Sequence, residues 1–163
     1  MTAQSHKHLK AVVCADIRGY TAMVQEDEES ALKHVELFQS LFTEVTSIHN
    51  GKVIAFYGDG VTVTFNSAIE AVRCAVELQQ EFIQRQVPVR IGMHVGEVSE
   101  NQPGTIHGEG VQIASAIEQA GEAGSVVLSE SIQTELFNHP EFLVQYLGKF
   151  NFDGVADKTD VYA

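Results

Sequence analysis

A pair of apolar runs joined by Gly58-Asp59-Gly60 constrains the fold of this chain more than any other feature. The second run alternates apolar and hydroxyl side chains, as Val61-Thr62-Val63-Thr64-Phe65. Alternation with a period of two is typical of a β-strand with one buried face. Glycines around an aspartate favour the tight turn that joins two antiparallel strands. Residues 52–65 are therefore predicted to form a β-hairpin.

Helical patterns flank this hairpin on both sides. Apolar residues recur every three to four positions between Leu32 and Ile48, and Asn50-Gly51 is a typical helix stop. After the hairpin, Ser67 and Glu70 form a capping box for a second helix. The remaining pattern predicts strands at 10–16, 89–97 and 125–128, helices at 108–119 and 129–137, and a terminal hairpin at 144–163 that bends near Asp153-Gly154.

The resulting order of elements is β-α-β-β-α-β followed by α-β-β. This order predicts an α+β fold with a ferredoxin-like or palm-like antiparallel sheet that carries its helices on one face. With 163 residues, of which 44% are apolar, the chain is long enough to bury a sizeable core. We expect a flexible N-terminus over residues 1–9 and a single domain over residues 10–163.

Charge and cysteine usage limit the possible partners. A net charge of −12 repels nucleic-acid backbones and anionic lipid, so we expect no nucleic-acid partner. No apolar stretch approaches the roughly 20 residues of a membrane span, and no membrane insertion is expected. Cys14 and Cys74 lie in apolar surroundings without metal-binding spacing, which predicts reduced core thiols in a cytoplasmic protein. The acidic run at 26–29 is predicted to be a solvated helix start rather than a calcium or partner site.

Two aspartates stand where the predicted strands end. Asp16 follows an apolar run that begins at Ala11, and Asp59 lies at the bend of the hairpin. If these strands are neighbours, both carboxylates emerge at the same end of the sheet, where their mutual repulsion favours a divalent cation such as Mg²⁺. The turn at 17–21, with Gly19 at its centre, offers backbone N–H groups to phosphates. This pattern predicts metal-assisted chemistry on a polyphosphate.

The motifs of the chain resemble, in the same order, those of the class III adenylate/guanylate cyclases. The stretch from Asp16 to Thr21 is similar to the opening motif of that family, and Gly58-Asp59-Gly60-Val61 is similar to its second metal motif. Residues 89–97 resemble its characteristic strand, 108–118 the helix that follows, and 121–129 the next turn and strand. The resemblance extends from about Ala11 to Ala163.

This resemblance implies a nucleotide cyclase fold and a reaction. The ribose 3′-hydroxyl of ATP or GTP attacks the α-phosphorus, which yields a 3′,5′-cyclic nucleotide for signalling and pyrophosphate. It implies two Mg²⁺ or Mn²⁺ ions held by Asp16, Asp59 and the backbone carbonyl of Ile17, with Ile17, Arg18, Gly19, Tyr20 and Thr21 around the phosphates. It also implies a head-to-tail homodimer with sites at the subunit interface, where the partner supplies transition-state groups.

Several positions depart from the family pattern. Ala55 replaces the purine-reading lysine, whereas Thr105, at the second purine position, resembles adenylate-type relatives and favours ATP. Gln112 replaces the ribose-binding asparagine, and Ala116 replaces the arginine that stabilises the transition state. A positioned donor of that kind typically contributes about 10²–10³ in rate. In the terminal hairpin, Asp153 replaces a lysine.

The other cations and histidines have mostly structural interpretations. Arg18 is predicted to lie at the surface, Arg90 to have a structural role in its strand, and His94 to be a satisfied core histidine. His107 adjoins Thr105, and a base contact there is a minor alternative. Lys149 and Lys158 are candidates for approach to the phosphates.

Two functions remain open from the sequence. One is an active nucleotide cyclase. The other is a catalytically degenerate cyclase homology domain that binds nucleotide or dimerises as a regulatory module, including as a heterodimer with an active cyclase. A diguanylate cyclase is disfavoured because the Gly-Gly-Asp/Glu-Glu-Phe hairpin is absent, and the charge of −12 disfavours a ferredoxin-like RNA binder.

Overall fold

A single β-sheet organises this protein in a computed structural model, which describes residues 6–102, 105–150 and 159–163. The strands are β1 His6–Ile17, β2 Lys52–Tyr57, β3 Gly60–Phe65, β4 Val89–Gln102, β5 Thr105–His107, β6 Val126–Ser129, β7 Tyr146–Phe150 and β8 Thr159–Tyr162. The helices are α1 Tyr20–Glu26, α2 Glu28–Ile48, α3 Ala68–Gln84, α4 Glu109–Ala120 and α5 Glu130–Glu135.

The strands follow the order β2-β3-β1-β4-β6-β8-β7, and β5 pairs with β4. β1 runs antiparallel to both of its neighbours, with Asp16 opposite Gly60 of β3 and Arg90 of β4. β6 runs parallel to β4, while the pairs β2–β3, β6–β8 and β7–β8 are antiparallel. The predicted α+β class with an antiparallel-dominated sheet is confirmed.

The main core lies between the sheet and helices α2 and α3. Alternate residues of β1 face it, from Ala11 to Ile17, because side chains of a strand point to opposite faces in turn. Three phenylalanines form its centre: the ring centroid of Phe38 lies 4.8 Å from that of Phe42 and 5.7 Å from that of Phe82. All three side chains are fully buried. Rings at these separations gain from their mutual orientation as well as from burial.

Helix α4 lies on the opposite face of the sheet, which differs from the prediction that all helices share one face. Ala114 of α4 packs against Val12 and Cys14, the β1 residues that point away from the main core. Glycine in β4 allows this close approach, because a Cβ at Gly92 would lie 2.3 Å from the backbone nitrogen of Glu118. The period of apolar residues predicts a helix here but does not say which face of the sheet it covers.

Two strands are longer than the sequence pattern predicts. β1 begins at His6, within the segment 1–9 that the sequence predicts to be flexible, and His6 pairs with Glu100 of β4. β4 itself continues to Gln102 rather than ending at Glu97. Both extensions are polar and lack a clear apolar alternation, so their pairing depends on backbone hydrogen bonds between the two strands.

Most predicted helix boundaries agree with the structure, but α5 ends at Glu135 rather than at 137, and the short helix α1 was not predicted. The hydroxyl of Ser67 accepts a hydrogen bond from the backbone N–H of Glu70, as expected for a capped helix start. Asp27 caps α2 in the same way, and Glu28 and Glu29 occupy its first turn. Residues 27–29 of the acidic run therefore form a helix start, whereas Glu26 ends α1. Helix α2 ends at Ile48, two residues before Asn50, whose φ is 63°. Among the described residues, no helix is long and apolar enough to cross a membrane.

His49 connects the end of α2 to α3. Its Nδ1 lies 3.1 Å from a carboxylate oxygen of Glu70, and its Nε2 lies 2.6 Å from one of Glu77. Burial lowers the pKa of His49, but the hydrogen bonds to Glu77 and Glu70 and their charges outweigh it, and the pKa is raised above 6.5. The protonated imidazole is therefore the form that stabilises the folded chain.

We expect the contribution of His49 to stability to depend on pH. Because its folded pKa is raised, the contribution is fully present below about pH 6.5 and is lost as the pH rises through the folded pKa. The partly exposed carboxylates limit it to roughly 0.5–1 kcal/mol. Urea unfolding of the wild type and His49→Gln across pH 5.5–8.5 measures it, since the difference between them isolates this histidine. A difference that does not change with pH would contradict the assignment.

Candidate functional site

Strand pairing brings Asp16 and Asp59 to the same pocket. Asp16 lies near the end of β1, opposite Gly60, and the backbone N–H of Ile17 donates to the carbonyl of Asp59 at 3.0 Å. Both aspartates line a cavity of about 390 Å³ between the sheet and α4. The predicted convergence of two carboxylates at one end of the sheet is therefore present.

The hairpin turn places the carboxylate of Asp59. Gly58 and Asp59 form a two-residue loop between β2 and β3, and the φ of Gly58 is 60°. A left-handed φ at the first loop position matches the type II′ turn of tight hairpins, which favours glycine there. Asp59 then follows immediately and is held at the rim of the pocket through its carbonyl.

Asp16 forms a two-pronged ion pair with Arg90. Nε of Arg90 donates to Oδ1 of Asp16 at 3.0 Å, and Nη2 donates to Oδ2 at 2.7 Å. The side chain of Arg90 is 19% exposed and that of Asp16 is 25% exposed, so solvent screens the ion pair only in part. The same face of the sheet presents both residues because they are directly opposed across β1 and β4. In this arrangement the guanidinium occupies both oxygens of the aspartate.

Glu118 of α4 is the third carboxyl group of the site. Its side chain is 6% exposed, its Oε2 lies 3.9 Å from Nη2 of Arg90, and it shares a hydrogen bond with Asp16. Burial raises the pKa of Glu118 strongly, and the hydrogen bond and negative charge of Asp16 raise it further, while Arg90 opposes them. The net effect disfavours the charged form of Glu118.

The environment of Asp59 also disfavours its charged form. Burial raises its pKa, and the charge of Asp16 adds to this, whereas a backbone hydrogen bond and Arg90 lower it. The net shift is upward. A positive charge between Asp16 and Asp59 would lower the pKa of Asp59 again, because it would offset the repulsion between the two carboxylates.

Two residues that line the pocket, Cys14 and Thr62, are buried in the sheet. Cys14 lines it beside Thr62, with 3.8 Å between Sγ and Oγ1. Burial raises the pKa of the Cys14 thiol to about 12, so the thiolate does not form near neutral pH. Cys74, on the other side of the sheet, is a buried free thiol as well. Both cysteines have the core positions that the sequence predicts.

The turn after Asp16 uses part of its hydrogen-bonding capacity internally. The backbone N–H groups of Ile17 and Arg18 donate to the carbonyls of Asp59 and Pro88, at 3.0 and 2.7 Å. These two groups are therefore not free for phosphates, which differs from the prediction that the turn at 17–21 offers its backbone N–H groups to them. Gly19, with φ of 74°, turns the chain into α1, which begins at Tyr20. Thr21 is exposed at the start of that helix.

Three further predicted residues do not line the cavity that contains the two aspartates. Gln112 is exposed and Ala116 half-buried on α4, and neither lines the cavity with Asp16. Ala55 in β2 pairs with Thr62 and is half-buried outside the lining as well. The backbone of Thr105 pairs with Gln102. The side chains of Thr105 and Lys149, and residues Asp153, Gly154 and Lys158, lie outside the described part of the structure.

Arg18 and His107 have the positions expected from the sequence, whereas Arg90 and His94 do not. Arg18 is exposed. Nδ1 of His94 lies 2.7 Å from the hydroxyl of Ser129 and 3.2 Å from that of Ser131, and burial lowers its pKa to about 4. It is thus a neutral, hydrogen-bonded histidine, but it is half-buried and lines a second cavity rather than the core. His107 is exposed in β5.

The donor chemistry of the pocket suits a hard divalent cation. Asp16 and Asp59 offer carboxylate oxygens, the ligands that Mg²⁺ and Mn²⁺ prefer. Within residues 6–102, 105–150 and 159–163, no three His, Cys, Asp or Glu side chains are arranged to hold an ion by themselves. An ion here would need further oxygens, and Mg²⁺ commonly takes these from substrate phosphates and water. The residues therefore fit a site completed by a polyphosphate ligand.

Sequence reasoning assigned no role to Glu118, although a signal for it exists. It lies four positions after Ala114 and next to Ile117, within the buried stripe of α4. A carboxyl group on an apolar helix face is costly unless it is paired, so its position alone indicates a partner. The pairing of Arg90 with Asp16 depends on the register between β1 and β4, which the local pattern does not provide.

Two comparisons with known sequences indicate the same family. The sequence matches the family described as "Adenylate and Guanylate cyclase catalytic domain" over residues 1–163. It is 32% identical over 137 residues to "Putative adenylate cyclase 3" of Rhizobium meliloti (strain 1021). That match covers 77% of this chain and 23% of the relative, so the chain spans about a quarter of the relative's length.

Solved structures share the fold across nearly the whole chain. An adenylate/guanylate cyclase/hydrolase from Silicibacter pomeroyi superposes with a TM-score of 0.89 at 24% identity, covering 98% of this chain and 97% of that one. The adenylyl cyclase CyaB from P. aeruginosa gives a TM-score of 0.87 at 20% identity, covering 98% and 94%. At these identities the likeness establishes the fold, and the predicted nucleotide cyclase fold is confirmed.

We expect Gly92→Ala to destabilise the protein, because the new Cβ would meet the backbone of α4 at Glu118. The expected loss is about 1–3 kcal/mol, as for other overpacked cores. Gly60→Ala is a suitable comparison in the same sheet, since its Cβ would lie 3.3 Å from the nearest atom, the carbonyl oxygen of Ala15. Urea unfolding of both variants measures the difference, and equal losses would contradict the tight packing of α4.

Proposed function

The chain belongs to the family of class III adenylate and guanylate cyclase catalytic domains, and we propose that it converts ATP slowly to 3′,5′-cyclic AMP and pyrophosphate. Members of this family act on ATP or GTP with divalent metal ions and typically dimerise. The observation that carries the proposal is the convergence of Asp16 and Asp59 on one pocket at the end of the sheet.

The proposed roles follow from the positions of the residues. Asp16, Asp59 and the carbonyl of Ile17 would hold Mg²⁺ or Mn²⁺ together with oxygens of the triphosphate. When bound, two such ions neutralise phosphate charge and acidify the attacking 3′-hydroxyl. Gly19, Tyr20 and Thr21 would face the phosphates from the start of α1, where backbone N–H groups lack helical partners. Local cations of this kind are needed because the net charge of −12 repels an anionic substrate.

A head-to-tail homodimer accounts for the separation of the predicted groups. Gln112 and Ala116 do not line the cavity that contains Asp16 and Asp59 of the same chain. In a head-to-tail pair, α4 of one subunit would contribute these positions to the pocket of the other. Each site would then lie at the subunit interface. The same geometry would allow a heterodimer in which an active cyclase supplies its own arginine.

Substrate choice and rate follow from the substituted positions. Ala55 offers no hydrogen bond to a purine, so base discrimination would rest on Thr105 and would be weak. Thr105 favours ATP. Ala116 removes a cation from the transferring phosphoryl group, which would lower the rate by about 10²–10³. The free buried thiols of Cys14 and Cys74 suit the reducing cytoplasm, where we propose that the domain works.

A degenerate, nucleotide-binding or dimerising module is the second candidate. Two observations favour it: Ala116 stands at the arginine position, and Arg90 already engages both carboxylate oxygens of Asp16. Calorimetry with a non-hydrolysable ATP analogue and Mn²⁺ separates the candidates when no product forms. Binding without turnover would support the nucleotide-binding module, and no binding would leave a dimerising role.

We expect wild-type protein to form cyclic AMP from ATP with Mn²⁺, and Asp59→Asn to reduce product to the uncatalysed background. The substitution keeps the size of the side chain but removes the charge that would hold an ion. Mass spectrometry of the product measures both, with GTP as the alternative substrate. Asp27→Asn is the matched control, because it removes a carboxylate at a helix cap where asparagine serves equally well. Equal product from wild type and Asp59→Asn would refute turnover at this site.

We expect Ala116→Arg to raise kcat by about 10²–10³, because it restores a cation near the transferring phosphoryl group. Ala116→Gln serves as the control, since it adds a long polar side chain without charge. Steady-state kinetics at saturating ATP and Mn²⁺ compares the three proteins. If the arginine variant is no faster than the glutamine variant, the missing cation does not limit the rate.

A further inference from the structure

Arg90 occupies the carboxylate that the proposed function assigns to a metal ion. Both oxygens of Asp16 accept from the guanidinium, at 3.0 and 2.7 Å. Bidentate pairs of this kind are the stronger hydrogen bonds of proteins, because the planar fork of arginine matches the two oxygens of a carboxylate. A divalent ion on Asp16 would have to take at least one of these oxygens from Arg90.

The register of the sheet fixes the relative positions of Asp16 and Arg90. Asp16 and Arg90 are direct partners in the antiparallel register of β1 and β4, and their side chains lie on the same face. The pair is mostly buried, so water does not readily replace either partner. Its geometry is therefore a property of the backbone rather than of two long surface side chains that meet by chance.

A second set of acceptors lies beside the guanidinium. Oε2 of Glu118 is 3.9 Å from Nη2, the atom that donates to Asp16, and the carbonyl of Gln119 accepts from Nη1 at 3.3 Å. A small rotation of Arg90 would bring it from Asp16 onto the end of α4. The guanidinium would then keep hydrogen-bond acceptors after leaving Asp16, which avoids the large cost of an unpaired buried charge.

We propose that Arg90 is a positioning residue that competes with the divalent ion for Asp16 and moves toward Glu118 and Gln119 when the ion binds. This inference rests on the proposed function, because it takes Asp16 as a ligand of the ion. In the absence of the ion, Arg90 stabilises the site and keeps Asp16 aimed into the pocket. Ion binding is weakened by the interaction that must be broken first.

Titration of the protein with Mn²⁺ alone tests the competition between Arg90 and the ion directly. The electron paramagnetic resonance signal of the free ion measures how much Mn²⁺ remains unbound. Arg90→Gln is expected to bind Mn²⁺ at least about tenfold more tightly than wild type, because hydrogen bonds to charged groups lie at or above the 1.4 kcal/mol that a tenfold change requires. Arg85→Gln is the matched control: it removes the same charge from an exposed pair with Glu81, away from the pocket. Equal gains in both variants would mean that net charge alone acts, which overturns the proposal.

Thermal unfolding distinguishes competition from a purely structural role. Arg90→Gln is expected to melt below wild type without Mn²⁺ and to recover most of the difference in saturating Mn²⁺, since the ion replaces the missing charge. A structural arginine would lower the melting temperature equally in both conditions. If Arg90→Gln does not fold, Arg90→Lys decides, because lysine keeps the charge but cannot span both oxygens; its affinity for Mn²⁺ should lie above that of wild type.

Failure of this inference and failure of the proposed function give different results. If wild type binds Mn²⁺, Asp16→Asn abolishes binding, and the Arg90 variants bind no more tightly than wild type, only the role of Arg90 is refuted. If neither wild type nor any Arg90 variant binds Mn²⁺, both the metal site and the competition are refuted. Binding by Arg90 variants alone would support the inference in its strongest form.

Discussion

The antiparallel pairing of β1 with β3 and β4 is the constraint on which the site depends. It places Asp16 opposite Gly60 on one side and opposite Arg90 on the other. The first pairing brings Asp59 into the pocket, and the second pairs Asp16 with the partly buried guanidinium of Arg90. Because a shift of one residue would turn Asp16 toward the main core, the register that forms the core also forms the site.

Much of the fold follows from local signals in the sequence. The alternation of Val61 to Phe65, the glycines of the hairpin turn and the Ser67 cap each specify an element through short-range physics, and the structure contains all of them. What local signals do not specify is how the elements are assembled. The position of α4 on the second face depends on the close approach allowed by Gly92, and the length of β1 depends on pairing with β4.

The site, like the fold, depends partly on local sequence signals and partly on how the elements are assembled. Asp16 and Asp59 are identified by where they lie relative to apolar runs, which is a property of the nearby sequence. Arg90 and Glu118 are brought to them from a distant strand and a distant helix, so their contacts exist only in the assembled chain. The sequence of α4 indicates that Glu118 needs a partner, because its carboxyl group lies on the apolar face of the helix. The identity of that partner cannot be deduced from the helix alone.

The sheet also separates the main hydrophobic core from the pocket that contains the two aspartates. The phenylalanine cluster and most buried side chains lie on the side of α2 and α3, while the pocket and α4 lie on the other. Substitutions on opposite sides share few neighbours, so their effects on stability combine almost independently. Exposed Gln112 and half-buried Ala55 and Ala116 all lie outside the main core. Substitutions at these three positions can therefore change the reactive groups of the domain with little effect on the core that holds the fold together.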